Sequence, residues 1–166
     1  MKRAFALLLL TAGAAHASDG FEAVRCGGDV RAALLGRHMS DEPVVQIEKR
    51  HVALGLKDLG GDEISDELNS VSWRICAKEY VVVSDAKGVV RDVLAFPAHS
   101  KAAPEFSATE CRANGKTVSG AIVGVMDAKR NVTAAWKIDT KTGRFSPLPA
   151  GLICRSPSIV TADGGP

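Results

Sequence analysis

The chain has 166 residues, of which 46% are apolar, 24% charged and 5% aromatic. That composition belongs to an ordinary globular protein with a mainly aliphatic core; it excludes wholesale disorder, a collagen-like repeat and a multi-span membrane protein. The formal net charge is only +2, from 21 basic and 19 acidic residues, so no strong field draws the protein to nucleic acid or anionic lipid.

The first segment reads as an address. Lys2 and Arg3 precede an apolar run from Ala4 to Leu10, and Ala15-His16-Ala17 fits a small-x-small cleavage pattern. A cleaved signal peptide over 1–17 is expected, with Ser18 as the new N-terminus. The apolar run is too short to span a bilayer, which takes about 20 apolar residues. Arg25 immediately before Cys26 spoils a lipoprotein cleavage box. The leader takes two basic residues and no acid with it, which leaves the remainder formally neutral. The expected location is periplasmic or secreted, without a membrane span in the mature form.

Cys26, Cys76, Cys111 and Cys154 make an even count, which in an exported domain reads as two disulfides. Cys26–Cys76 and Cys111–Cys154 are the preferred pairs, because they divide the chain into two halves. No cysteine or histidine neighbour lies at zinc-ligand spacing, so neither a metal nor a cofactor is expected.

In chain order, Phe21 to Arg25 reads as a short strand or an extended lead-in. Asp29 is placed to cap a short helix carrying Val30, Ala33 and Leu34, which ends at Gly36. Val44, Ile47, His51 and Leu54 share one helical face, which predicts a helix over 43–59 closed by Gly60-Gly61, with a strand over 44–49 as the alternative. The acids Asp62, Glu63, Asp66 and Glu67 follow as a solvated turn.

Strand signals then dominate. Val71, Trp73 and Ile75 alternate with polar residues, and Tyr80 to Val83 pairs with 89–96 across an Asp85–Gly88 turn. A loop framed by Pro97 and Pro104 follows, and Asn114-Gly115 marks a tight turn. Strands are predicted over 118–126, 134–139 and 144–148, with Trp73 and Trp136 as core anchors and 161–166 as a loose tail. Helices followed by antiparallel hairpins predict an α+β domain over 18–160, its N-terminal helices packed on a mainly antiparallel sheet of about five strands.

Familiar catalytic motifs do not appear. Gly115-Lys116-Thr117 resembles the end of a phosphate-binding loop, but Glu110 stands where the motif needs its first glycine. There is no G-x-S-x-G elbow and no H-E-x-x-H. Asn131-Val132-Thr133 formally fits a glycosylation acceptor.

The expected function is therefore an exported binding module, recognising an envelope or extracellular protein or a small ligand. Its candidate interaction loop carries Phe96, His99, Lys101 and Phe106, since loops held on rigid scaffolds often carry recognition. No residue is assigned as catalytic. The alternatives are a small hydrolase using His51 or His99 with a nearby acid or hydroxyl, and a structural assembly component.

Overall fold

A computed structural model describes residues 19–98, 105–155 and 157–160. The chain opens with a 3₁₀ turn (Phe21–Ala23), α1 (Val30–Leu34), α2 (Val44–Arg50) and a second 3₁₀ turn (Val52–Leu54). Then β1 (Lys57–Ser65), β2 (Leu68–Ile75), β3 (Lys78–Asp85) and β4 (Val90–Ala95) form a four-stranded meander in sequence order. A second sheet contains β5 (Glu105–Ala113), β6 (Lys116–Met126), β7 (Val132–Ile138), β8 (Phe145–Pro147), β9 (Ile153–Cys154) and β10 (Ser158–Val160). Its order is β10-β5-β6-β7-β8, with β9 also on β5, and all its pairings are antiparallel. The expected helices on one sheet of about five strands are thus replaced by two sheets with two short helices, a mostly β architecture.

The helical content falls short because α2 stops at Arg50. Gly55, in the left-handed region at φ 57°, ends the 3₁₀ turn that follows, and the chain then extends. Gly60-Gly61, expected to close the helix, lies inside β1 at a bulge between Asp58 and Gly61. A Cβ at Gly61 would stand 2.4 Å from the Ser70 carbonyl oxygen, so glycine lets β1 approach β2 there. α1 starts as expected: the Asp29 carboxylate accepts the Ala32 N–H at 3.0 Å.

The β3–β4 hairpin lies where the alternating pattern puts it. Asn114 (φ 51°) and Gly115 (φ 75°) form the two-residue β5–β6 turn, the left-handed pair that such a tight hairpin needs. Gly115-Lys116-Thr117 therefore enters a strand and not the helix a phosphate loop requires.

Three layers of packing follow. α1 and α2 cover one face of the meander, where Phe21, Leu34 and Ile47 meet Trp73, Ile75 and Val82. Trp73 is a core anchor, set edge-on to Phe21 with ring centroids 5.1 Å apart. The meander's other face meets the second sheet through Leu68, Val83 and Ile138, with Ala121, Val123 and Phe145 around them. The outer face of the second sheet buries Phe106, Ile122, Met126 and Ala135 under Leu148, Leu152 and Ile159. Two disulfides staple these layers. Cys26–Cys76 ties the N-terminal segment to the β2–β3 turn, and Cys111–Cys154 joins residues directly opposite on β5 and β9.

Candidate functional site

The seam between the sheets brings together the most unusual polar groups of the molecule. Side chains on a strand alternate between faces, so Ser70, Ser72 and Arg74 of β2 follow Leu68 onto the side facing the second sheet. Glu105 and Ser107 of β5 lie opposite Val125 and Val123 of β6, and Val123 belongs to that same inter-sheet packing. Two polar rows thus run along the seam.

Where β1 and β2 part from β5 and β6, a cleft of about 450 Å³ opens. Hydroxyls of Ser70, Ser107, Thr109, Thr140 and Ser158 line it above an aliphatic floor of Ile64, Ala121, Val123 and Ile138. Asp62 and Glu63 reach its wall from β1, where both are exposed. A concave, mainly apolar surface with a few convergent polar groups is the usual form of a small-ligand site, and this volume lies in the usual range.

Further along the seam the chemistry changes. Arg74 sits opposite Glu79 on β3 and donates to its Oε1 from Nη2 at 2.7 Å and from Nε at 3.1 Å. Glu105, only 4% exposed, lies beside Glu79. Burial, then the neighbouring Glu79, pushes the Glu105 carboxyl up to about 8, against the opposing pull of Arg74. At neutral pH Glu105 therefore keeps its proton, beside a Glu79 that accepts from the Arg74 guanidinium.

A second cluster lies under the helical layer. The Asp19 carboxylate is fully buried and accepts from the Phe21 N–H at 3.1 Å and from Arg50. His51 Nε2 lies 2.8 Å from both its oxygens, and Glu42 takes the other side of the Arg50 guanidinium. Burial opposes ionisation of Asp19, but the hydrogen bonds from His51, Phe21 and Arg50 outweigh it and hold the carboxyl below its ordinary value. The ring of His51 packs on Phe21 at 5.7 Å, with its side chain 11% exposed. Among the described residues, the only side-chain hydrogen bonds of His51 go to Asp19.

Of the expected interaction loop, the structure describes Phe96 and Phe106. Phe106 is 1% exposed: it is the second residue of β5, and its ring covers Gly124, where a Cβ would approach to 2.7 Å. It is a core residue and presents no surface to a partner. Phe96 is half-buried just past the end of β4, its ring 6.0 Å from Trp136. His99 and Lys101 lie outside the described residues. The acids of 62–67 are split between β1 and the β1–β2 turn.

Sequence reading missed Glu79, Glu105 and Asp19. One local signal existed for Arg74: an arginine between Trp73 and Ile75 marks the strand face turned away from the helical core.

Among the described residues no group of three or more His, Cys, Asp or Glu could hold a metal ion, and no helix is long and apolar enough to cross a membrane. Comparison with protein-family models, curated proteins and solved structures finds no match.

Proposed function

We propose that this protein is an exported binding module that takes a small ligand in the cleft between its two sheets. The observation that carries this reading is the cleft itself, about 450 Å³ with five hydroxyls over an aliphatic floor. The two disulfides fit a non-cytoplasmic compartment, and the leader-like segment 1–17 makes periplasm or extracellular space the location we favour. Hydroxyls around an apolar floor suit a ligand with an aliphatic body and hydrogen-bonding groups at its edge. The reading shifts recognition from the 96–106 loop to the seam.

The test is a fragment mixture of small alcohols, amides and amines added to the oxidised protein, followed through backbone amide chemical shifts. Saturable shifts concentrated on Ser70, Ser107, Thr109 and Ala121, abolished by Ala121→Phe, support the assignment. Shifts confined to other surfaces, or none with any fragment, refute it.

A further inference from the structure

We infer that the cleft between the two sheets selects a positively charged ligand, a small aliphatic amine whose ammonium group pairs with Asp62 while its chain lies on the aliphatic floor. This names the ligand class of the site proposed above and rests on that reading.

The placement of Asp62 carries the inference. Asp62 of β1 stands directly opposite Ser70 of β2, and directly opposed residues share one face of a sheet. Ser70 is 8% exposed, lines the cleft and donates its hydroxyl to the Asp62 carbonyl at 3.3 Å. The Asp62 side chain therefore stands on the cleft side of β1, where Ile64 also packs against the cluster of Leu68, Val83 and Ile138. Glu63, which lines the same wall, adds a second negative charge beside it. Among the described residues neither carboxylate makes a hydrogen bond or an ion pair.

The basic side chains nearby leave that charge in place. Among the described residues that line the cleft there is no lysine, arginine or histidine. Lys137 of β7 stands directly opposite Ile122, whose side chain belongs to the outer-face cluster, so Lys137 points away from the seam. Lys141 follows Thr140 in the β7–β8 turn and is offset by Asp139, whose carboxylate accepts the Lys141 N–H at 3.0 Å. Arg74 lies four residues beyond Ser70, about 13 Å along β2, and donates to Glu79.

Hydroxyls both donate and accept, so the five in the cleft do not tell an amine from an alcohol or an acid. A carboxylate only accepts and carries charge, so Asp62 does. An ammonium group brings three donors and a positive charge, which suit the Asp62 carboxylate and the oxygen of Ser70 beside it. Asp62 is exposed, so its pair with an ammonium is worth what a solvent-screened ion pair is worth, about fivefold in affinity at low salt.

The test compares pentylamine, pentanol and pentanoate, which share a chain and differ in charge at pH 7. Each is titrated into the oxidised protein and followed through the backbone amides of Ser70, Ser107 and Ala121. The expected order of affinity is amine, alcohol, acid, with the amine about fivefold tighter than the alcohol in low salt and the gap closing as salt is raised. In Asp62→Asn, which keeps the shape of the side chain, the amine should fall to the affinity of the alcohol. The alcohol should bind that variant as it binds wild type, which shows the cleft intact. An amine no tighter than the alcohol, or a preference that survives in Asp62→Asn, overturns the inference and spares the cleft as a ligand site. If all three leave these amides unmoved the inference is refuted outright, and the fragment mixture then decides the cleft reading by itself.

Discussion

The Asp92 carboxylate on β4 accepts the backbone N–H of Phe145 on β8 at 3.1 Å, a bond that crosses from one sheet to the other. Its other oxygen takes Arg31 Nε of α1 at 2.8 Å and the Val93 N–H at 2.9 Å. One buried carboxylate therefore fastens the helical layer, the meander and the second sheet. Arg31 is half exposed, so its ion pair adds little by itself. The larger cost of removal is the stranded Phe145 and Val93 N–H groups. Asp92→Ala should lose about 2–3 kcal/mol of stability, and Asp92→Asn, which keeps an acceptor, about half of that. Urea unfolding measures both; a loss in Asp92→Ala below about 0.5 kcal/mol, the scale of an ordinary surface change, refutes the fastening role.

Stability should peak on the acid side of neutrality. Glu105 has a folded pKa of about 8, above its ordinary 4.5. Its contribution is fully present below 4.5 and is lost as pH rises through 8. Between those values the slope from this group alone is about −1.4 kcal/mol per pH unit. Asp19 has the opposite sign: its folded pKa lies below the ordinary 3.8, so its contribution is present above 3.8 and lost as pH falls through the folded value. Urea midpoints followed from pH 3 to pH 9 should fall on both sides of a maximum near pH 4–5. Glu105→Gln should flatten the alkaline limb alone; a limb unchanged in that variant rejects the assignment.

The β2–β3 turn is built from two residues in the left-handed region, Cys76 at φ 52° and Ala77 at φ 64°. Neither is glycine, asparagine or aspartate, the residues this turn favours. Cys76 is held by its bond to Cys26, whereas Ala77 is free to change. Ala77→Gly should raise stability by about 0.5–1 kcal/mol, since the left-handed conformation costs an alanine about that much. A thermal scan that shows a lower melting temperature in Ala77→Gly contradicts this account of the turn.

The same turn shows where the sequence became opaque. Asn114-Gly115 could be read from its residues, because the side chains themselves favour the turn; Cys76-Ala77 could not, because a disulfide and two flanking strands impose it. β5 was hidden by its bulge. Its residues in the outer-face cluster are Phe106 and Ala108, then Cys111 and Ala113, so the two-residue alternation slips between Ala108 and Glu110 where the register shifts. Gly60-Gly61 reads as a helix stop from sequence, and only the approach of Ser70 explains glycine in a strand there. The disulfide pairing was legible because it divides the chain into halves, and each half largely became a sheet. The seam was not legible at all. Glu105 stands between Pro104 and Phe106, and nothing local marks an acid that a second sheet will bury beside Glu79.

His51 decides between a catalytic and a structural role for the cluster under the helices. A histidine oriented by a buried acid is the arrangement a hydrolase uses, but there the other ring nitrogen activates a nucleophile. Here the Asp19 carboxylate is also held by Arg50 and by the Phe21 amide, and the imidazole packs at a tilt against Phe21 at the C-terminal end of α2. That arrangement pins the N-terminal segment to the helix that ends at Arg50. His51→Ala removes one donor and leaves the buried Asp19 charge with Arg50 and the Phe21 amide, so it should cost about 1–3 kcal/mol. Asp19→Ala strands three donors and should cost at least as much, with α2 amides exchanging faster in both variants while β6 and β7 keep their protection. If instead His51→Ala keeps wild-type stability and abolishes a measurable hydrolytic activity, the cluster is an active site and the binding reading fails with it.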